Sequence, residues 1–316
     1  MEYNIANVLN GKSIVALGGH IRPDGDCTGA CVGLLLYIRK NFPNVQVDAY
    51  IENIPESFYF INGVDKVKDV INQEIEYDLF ISLDCGDKYR LGFSLPLFDS
   101  AKETLCIDHH ISNVGYADRN FIITAASSTC EMVYKMLDPE LIDKDIAAAL
   151  YMGITHDTGV FRFSNTSPEA MEIAASLLRT GIRGYSIIEK TFYEKTHPQV
   201  RITGKALFNS QLLLDNKCIV SVITSEDMDD FGVGTYELDG ITSQLLLTEG
   251  VDVAVFICAL ENNELKVSLR SSDAVDVSII ATNFGGGGHK KAAGFSTNAP
   301  SEEAIKLVCK AIAKQL

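Results

Sequence analysis

The sequence predicts an α/β protein, with a parallel sheet flanked by helices and followed by a smaller α+β domain. Three observations predict it. Strand-length apolar runs alternate with longer amphipathic stretches through the first half of the chain. Paired strand-length runs replace that alternation in the second half. A chain of 316 residues, 47% apolar and 22% charged, can bury two cores, which excludes disordered and fibrous classes.

In chain order, residues 13–19 (SIVALGG) are a continuous apolar run, as expected of a strand buried on both faces. Residues 28–40 place Ala30, Gly33, Leu34 and Tyr37 at helical spacing. Further strands are expected at 45–51, 78–84 (DLFISLD) and 104–108 (TLCID), with helices at 128–137 and 144–155. In the last of these, Ile146, Ala149, Leu150 and Ile154 form one apolar stripe. Helices at 168–180 and 185–193 lead to a polar segment around 194–200, where the domain boundary is expected. This gives a first domain over 1–194, a linker over 195–205 and a second domain over 206–316. In the second domain, strands at 211–214 and 218–223 should pair, as should 251–260 and 264–270. A glycine-rich turn at 285–288 and a final helix over 302–314 complete the reading.

The 27 Lys and Arg against 42 Asp and Glu leave a formal charge of −15. Sequence-independent grip on long duplex DNA comes from cationic side chains displacing counterions, so that class is excluded. Short phosphorylated ligands remain open wherever a few basic residues converge. The apolar runs fall well short of the roughly 18 residues of a membrane span, and residues 1–11 lack a signal-peptide core. The eight cysteines (27, 31, 85, 106, 130, 218, 258 and 309) contain no C-x-x-C pair. Cys27 and Cys31 are spaced for packing on one helix face. A reduced, soluble, cytoplasmic protein with no membrane partner is the expectation.

Four polar clusters each follow an apolar run: His20-Ile-Arg-Pro-Asp24-Gly-Asp26, Asp84-Cys-Gly-Asp87, Asp108-His109-His110 and His156-Asp157-Thr158-Gly159. One such cluster alone would end a strand or cap a helix. Four at equivalent ends of successive elements point to a single site, because parallel sheets present ligands at the C-terminal ends of their strands. Carboxylates gathered there repel one another unless cations neutralise them. Carboxylate oxygen mixed with imidazole nitrogen suits Mn²⁺ or Mg²⁺ better than thiolate-seeking metals. The surplus of ligands suggests two ions, roughly 3.5–4 Å apart and bridged by a shared carboxylate.

At this point the chain resembles the DHH phosphoesterase superfamily, named for the triplet seen here as Asp108-His109-His110. The resemblance includes His-x-x-Pro-Asp-x-Asp at 20–26, Asp84, and Asp157 in Asp-Thr-Gly. A second part, Gly285-Gly-Gly-Gly-His289-Lys-Lys-Ala-Ala-Gly-Phe295 with Val267-Ser-Leu-Arg270-Ser upstream, resembles the DHH-associated C-terminal domain. With both parts in 316 residues, the chain is most similar to the NrnA-type branch of bifunctional oligoribonucleases and 3′-phosphoadenosine 5′-phosphate (pAp) phosphatases.

The resemblance implies that His20 and Asp24 hold one ion, that Asp26, His109 and Asp157 hold the other, and that Asp84 bridges both. His110 would contact the scissile phosphate or protonate the leaving oxygen, and Asp108 would orient the histidine pair. His156 departs from the family pattern and is expected to be helix-end polarity rather than an outer contact to the site. Asp87 and Arg90 are expected to order their loop. The 285–288 run lacks the Gly-Lys-Ser/Thr ending of a P-loop. With Arg270, residues Gly286, Gly287, Gly288 and His289 would form an anion site, since glycines admit a phosphate to backbone N–H groups and Arg offers a bidentate fork. Lys290 and Lys291 are expected to be solvated.

The implied protein is a two-ion Mn²⁺ phosphohydrolase, with Mg²⁺ as the alternative, whose site lies in the cleft between the domains. Its implied substrates are very short oligoribonucleotides and pAp. A phosphodiesterase acting on cyclic or linear dinucleotides (c-di-AMP, pApA) is the alternative within the enzyme class. A family II pyrophosphatase would carry a different C-terminal domain, and a RecJ-like exonuclease would carry further domains and a more basic groove. A non-catalytic nucleotide sensor would lack metal ligands, and all six are present. The oligomeric state stays open, with a homodimer among the options.

Overall fold

A computed structural model describes residues 4–71, 75–260, 264–272 and 274–316. The chain forms two compact units, Met1–Glu194 and Lys195–Leu316.

In the first unit, strands β1 (Ile14–Gly18), β2 (Gln46–Tyr50), β3 (Leu79–Leu83), β4 (Thr104–Asp108) and β5 (Arg119–Ile122) make one sheet in the order β2-β1-β3-β4-β5. All its pairings are parallel, with Val15 opposite Val47 and Leu79, and Ile81 opposite Leu105. Strands β3 and β4 are buried at every position, which explains their unbroken apolar character. After β2 the chain returns past β1 to lay down β3, so a crevice opens beyond the C-terminal ends of β1 and β3. Strand β5 was not expected. Its residues Arg119, Asn120, Phe121 and Ile122 are all half-buried at the sheet edge, so no apolar run marks it.

Helices α1 (Ile5–Leu9), α2 (Gly25–Asn41), α3 (Leu95–Ser100), α4 (Thr129–Met136), α5 (Lys144–Asp157), α6 (Pro168–Arg179) and α7 (Gly184–Ile188) surround this sheet. Helix α2 starts three residues earlier than its apolar spacing suggests because Asp24 caps it, accepting from the amides of Asp26 and Cys27. Ser128, Asp143 and Ser167 cap α4, α5 and α6 in the same way. Helix α7 runs on into a π-helical turn at Glu189–Tyr193. The large core unites one sheet face with α1, α2 and α4 to α6, through residues such as Leu17, Leu34, Ile81, Ile107 and Leu150. A smaller cluster of Ala16, Tyr50, Tyr77, Phe80 and Phe98 lies on the other face.

Two glycines set the spacing inside the large core. A Cβ on Gly29 of α2 would lie 2.4 Å from the carbonyl oxygen of Ala149, and one on Gly153 of α5 would lie 2.2 Å from Cys130 Sγ. Helices α2, α4 and α5 therefore approach more closely than any side chain at these two positions would allow.

The second unit holds α8 (His197–Phe208), β6 (Gln211–Leu213), β7 (Cys218–Ile223), α9 (Ser225–Phe231), α10 (Ile241–Leu246), β8 (Val253–Ala259), β9 (Leu265–Ser271), α11 (Val277–Asn283), β10 (Gly287–His289), β11 (Ala292–Thr297) and α12 (Ser301–Ile312). Its sheet runs β10-β11-β9-β8-β7-β6 and is antiparallel except for β7 with β8. Cores lie on both faces. Val255, Leu269, Ile280 and Val308 meet in one, and Ile202, Ala206, Ile241 and Phe256 in the other.

Two expectations are corrected here. The span 195–205, expected as a linker, is mostly helix α8: Thr196 and Gln199 form its capping box, and Ile202 is fully buried against the sheet. The glycine-rich turn is partly strand, since β10 pairs antiparallel with β11. A Cβ on Gly286 would meet the Gly294 carbonyl at 2.2 Å, so this glycine is needed for the approach of the neighbouring strand.

All eight cysteines are free thiols, and seven are buried. Among the described residues, no helix is long and apolar enough to cross a membrane.

Candidate metal centre

The ends of four first-unit elements converge. His20 leaves the end of β1, Asp84 follows β3, Asp108 ends β4 and Asp157 ends α5. Asp84 adopts the left-handed backbone (φ 60°), which turns its side chain into the cluster at once.

Its two carboxylate oxygens face different partners. Oδ2 lies 3.4 Å from His20 Nε2, while Oδ1 lies 3.5 Å from His109 Nε2 and accepts the Thr129 hydroxyl at 3.0 Å. Around His20 stands Asp24, at 3.9 Å. Around His109 stand Asp157 at 3.0 Å and Asp26 at 3.9 Å. Asp26 is fully buried and accepts the amides of Thr129 (2.6 Å) and Cys130 (2.9 Å) at the start of α4.

The histidines are oriented from behind. His20 Nδ1 donates to the Ile21 carbonyl at 2.8 Å, which turns Nε2 towards Asp84. The Arg90 guanidinium lies 3.1 Å from the same Nδ1, and its carbonyl accepts the Ile21 amide, so Arg90 does order this loop. Asp87 accepts the Tyr89 amide at 2.8 Å and caps the turn that follows it. His110 Nδ1 donates to Asp108 at 2.6 Å, and Asn113 Nδ2 donates to the other Asp108 oxygen at 2.6 Å. Burial pushes the Asp108 carboxyl up, but these hydrogen bonds outweigh it and hold Asp108 below the usual range.

Asp26 and Asp84 behave in the opposite way. Burial, then the neighbouring charge of Asp157, pushes Asp26 up to about 6. Burial, then Asp26, Asp24 and Asp157, drives Asp84 well above the ordinary range. Burial would lower His109, yet the Asp157 hydrogen bond with Asp26 and Asp84 raises it to about 10. Burial likewise opposes His20, which Cys27 and Asp24 raise to about 9. Buried carboxylates thus repel one another and draw protons onto the histidines between them, and divalent cations are suited to replace that positive charge.

Three of the groupings whose ligand atoms fall within 4.8 Å of one another are Asp84–His109–His110, Asp26–His109–Asp157 and His20–Cys27–Asp84. The donor set is oxygen with imidazole, which fits Mn²⁺ or Mg²⁺. Cys27 does not fit as a ligand to these ions, because its sulfur is a soft donor in a set of oxygen and imidazole, and it accepts the His20 amide at 3.1 Å. His20, Asp24, Asp26, Asp84, Asp108, His109, His110 and Asp157 are therefore brought together. Sequence reasoning missed Thr129 and Asn113, although the Ser128 cap of α4 marked where Thr129 would lie. His156, expected as helix-end polarity, lies in the last turn of α5, with a ring nitrogen within 4.8 Å of carboxylate oxygens of Asp24 and Asp157.

The remaining expected residues lie in the second unit. His289, Ala292, Arg270 and Ala254 stand in one cross-strand row, so the Arg270 and His289 side chains project from the same sheet face with small Ala292 between them. Burial draws the Arg270 guanidinium below its usual value, partly offset by Asp239. Such a desolvated cation favours an anionic partner. Gly286 and Gly288 back onto β11, whereas a Cβ on Gly287 would meet open space.

Residues 14–154 match the DHH family, N-terminal domain, and residues 215–316 match the DHHA1 domain. The chain belongs to the DHH family. DHH phosphoesterases are metal-dependent hydrolases of phosphoester bonds, and this chain is such a hydrolase. It is 27% identical to the bifunctional oligoribonuclease and PAP phosphatase NrnA of Bacillus subtilis, over 94% of this chain and 93% of that one. It is 25% identical to the cyclic-di-AMP phosphodiesterase PdeA of Listeria monocytogenes, over 86% of this chain and 43% of that longer one. The crystal structure of an exopolyphosphatase-related protein from Bacteroides fragilis shares the fold, with TM-score 0.91 at 24% identity over 98% of this chain and 94% of that one.

Proposed function

We propose that this DHH protein cleaves very short oligoribonucleotides and dephosphorylates pAp, using two Mn²⁺ ions. The divided Asp84 carboxylate carries this reading, because one oxygen faces His20 and the other His109, as a bridge between two ions requires. His20 and Asp24 hold one ion, Asp26, His109 and Asp157 hold the other, and Asp84 serves both. Divalent cations bound there bring the pKa of water towards neutrality and offset charge on the phosphoryl oxygens.

The chain's own residues supply orientation. His110, braced by Asp108, contacts the scissile phosphate or gives a proton to the leaving oxygen. Arg270, Gly286, Gly287, Gly288 and His289 in the second domain hold the substrate's distal phosphate or base. Mg²⁺ is the alternative ion. Eight free thiols, seven of them buried, suit a reducing cytoplasm.

A second reading, hydrolysis of c-di-AMP or pApA, is favoured by the PdeA resemblance. A non-catalytic sensor is disfavoured, because all six proposed metal ligands converge. The deciding experiment compares pAp, RNA dinucleotides to pentanucleotides, pApA and c-di-AMP under Mn²⁺. Highest kcat/KM on pAp and dinucleotides is expected. Highest kcat/KM on c-di-AMP would transfer the chain to the second reading, and no turnover of any substrate would overturn both.

A further inference from the structure

His156 lies outside the six ligands assigned above, yet its position is tightly determined. It occupies the last turn of α5, and its ring stands edge-on to Phe58 (centroids 5.8 Å, planes at 90°) and tilted against Phe192 (5.2 Å, 43°). Phe58 is buried in the large core, and Phe192 comes from the π-helical turn at Glu189–Tyr193. On the remaining side is Gly25, where a Cβ would come within 2.6 Å of the imidazole ring. The ring thus fills a slot made of two aromatic side chains and the first residue of α2. Free rotation to another position would require displacing one of these walls.

The slot aims one ring nitrogen at the acidic cluster. His156, Asp24 and Asp157 each offer a ligand atom, and those three atoms lie within 4.8 Å of one another. Among the described residues, no hydrogen bond or ion pair within 4 Å engages the His156 ring. Ordinary helix-end polarity would show an imidazole turned to solvent or to the last carbonyls of its own helix. Here the carbonyl of His156 accepts the Gly159 amide, and the ring is turned away towards Asp24.

We propose that His156 is an additional nitrogen ligand to the cation held by Asp24. The inference rests on the reading that the cluster binds two divalent cations. With His20 it gives that ion two imidazoles, whereas the ion held by Asp26, Asp157 and His109 has one. Imidazole nitrogen is preferred by Mn²⁺ and later transition metals over Mg²⁺, which selects oxygen. His156 thereby biases the Asp24 site towards a transition metal.

The test is isothermal titration of the full, EDTA-stripped chain with Mn²⁺ and separately with Mg²⁺. It compares wild type, His156→Phe, which keeps an aromatic ring in the slot, and His156→Gln, which keeps polarity without the ring. Melting in EDTA confirms that each variant folds. Wild type is expected to take up two Mn²⁺. Both variants should keep one site unchanged and bind at the other at least tenfold more weakly, with Mg²⁺ affinity changed less than threefold. Variant isotherms superimposable on wild type would overturn the role of His156 and leave the two-ion reading intact. Failure of wild type to bind Mn²⁺ would overturn both.

Discussion

Thr129 and Asp26 are 103 residues apart in sequence, yet the Thr129 amide donates to Asp26 Oδ2 at 2.6 Å. With the Cys130 amide on Oδ1, a residue of α2 caps the first turn of α4, alongside that helix's own Ser128 cap. Asp26→Ala would leave two buried donors without an acceptor, at roughly 1–3 kcal/mol each, partly offset by relief of repulsion from Asp84 and Asp157. A net loss of about 1 kcal/mol or more is expected in urea unfolding with EDTA. Asp26→Asn keeps one acceptor oxygen and should lose less. If Asp26→Ala unfolds at the wild-type urea midpoint, the cap contributes nothing.

Asp84 invites a stoichiometric test. Asn tolerates the left-handed backbone at this position, so Asp84→Asn removes the charge without straining the turn. It should abolish binding of both ions and reduce turnover below a tenth of wild type on every substrate. Asp24→Asn and Asp157→Asn should each keep one ion. Retention of one tightly bound ion by Asp84→Asn would rule out the bridge.

Cation binding should release protons. At pH 7 the metal-free protein holds protons on His109 (about 10) and His20 (about 9), and cations must displace them. Affinity therefore rises with pH and falls off further below about 6, where Asp26 protonates. In EDTA the sign for stability is reversed. The contribution of a raised carboxyl such as Asp26 is complete below about 4 and lost as pH rises through about 6. Each site filled at a hundredfold excess over Kd then adds about 2.7 kcal/mol. The Mn²⁺-induced gain in Tm should accordingly be larger at pH 8 than at pH 5.5, with net proton release seen by titration in buffers of different ionisation heat. A gain independent of pH, without proton release, would contradict this electrostatic account.

Ala292 separates Arg270 from His289 in one cross-strand row. Ala292→Leu should crowd a phosphate placed between them, and Arg270→Ala should remove its charged partner. Both variants should lose kcat/KM on pAp and dinucleotides, mainly through KM, while cleavage of a small chromogenic phosphodiester changes far less. Equal losses on both kinds of substrate would mean that this row supports the fold rather than the ligand.

The four polar clusters were legible because each interrupts an apolar run, and the α/β alternation was legible because β1, β3 and β4 are buried on both faces. What stayed hidden lacked that contrast. Strand β5 is half-buried at an edge, and glycines mask β10 and its pairing. Helix α8 opens with Thr196, Pro198 and Gln199, polar residues that resemble a linker until their capping geometry is seen. The placement of His156 depended on Phe58 and Phe192, whose nearness to it no local spacing reveals.

The glycines between α2, α4 and α5 have a consequence for how tolerance to mutation would be distributed. A Cβ on Gly153 would come 2.8 Å from Asp26 Oδ1 as well as pressing on Cys130, so one methyl group there disturbs a carboxylate from behind. A survey of every single substitution would therefore rank Gly29 and Gly153 with the aspartates, although neither glycine has a side chain to offer any chemistry. Intolerance at those two positions measures a gap between backbones. An engineer seeking to reshape the pocket would find more freedom in the loops that carry the polar groups than in the bare helix faces behind them.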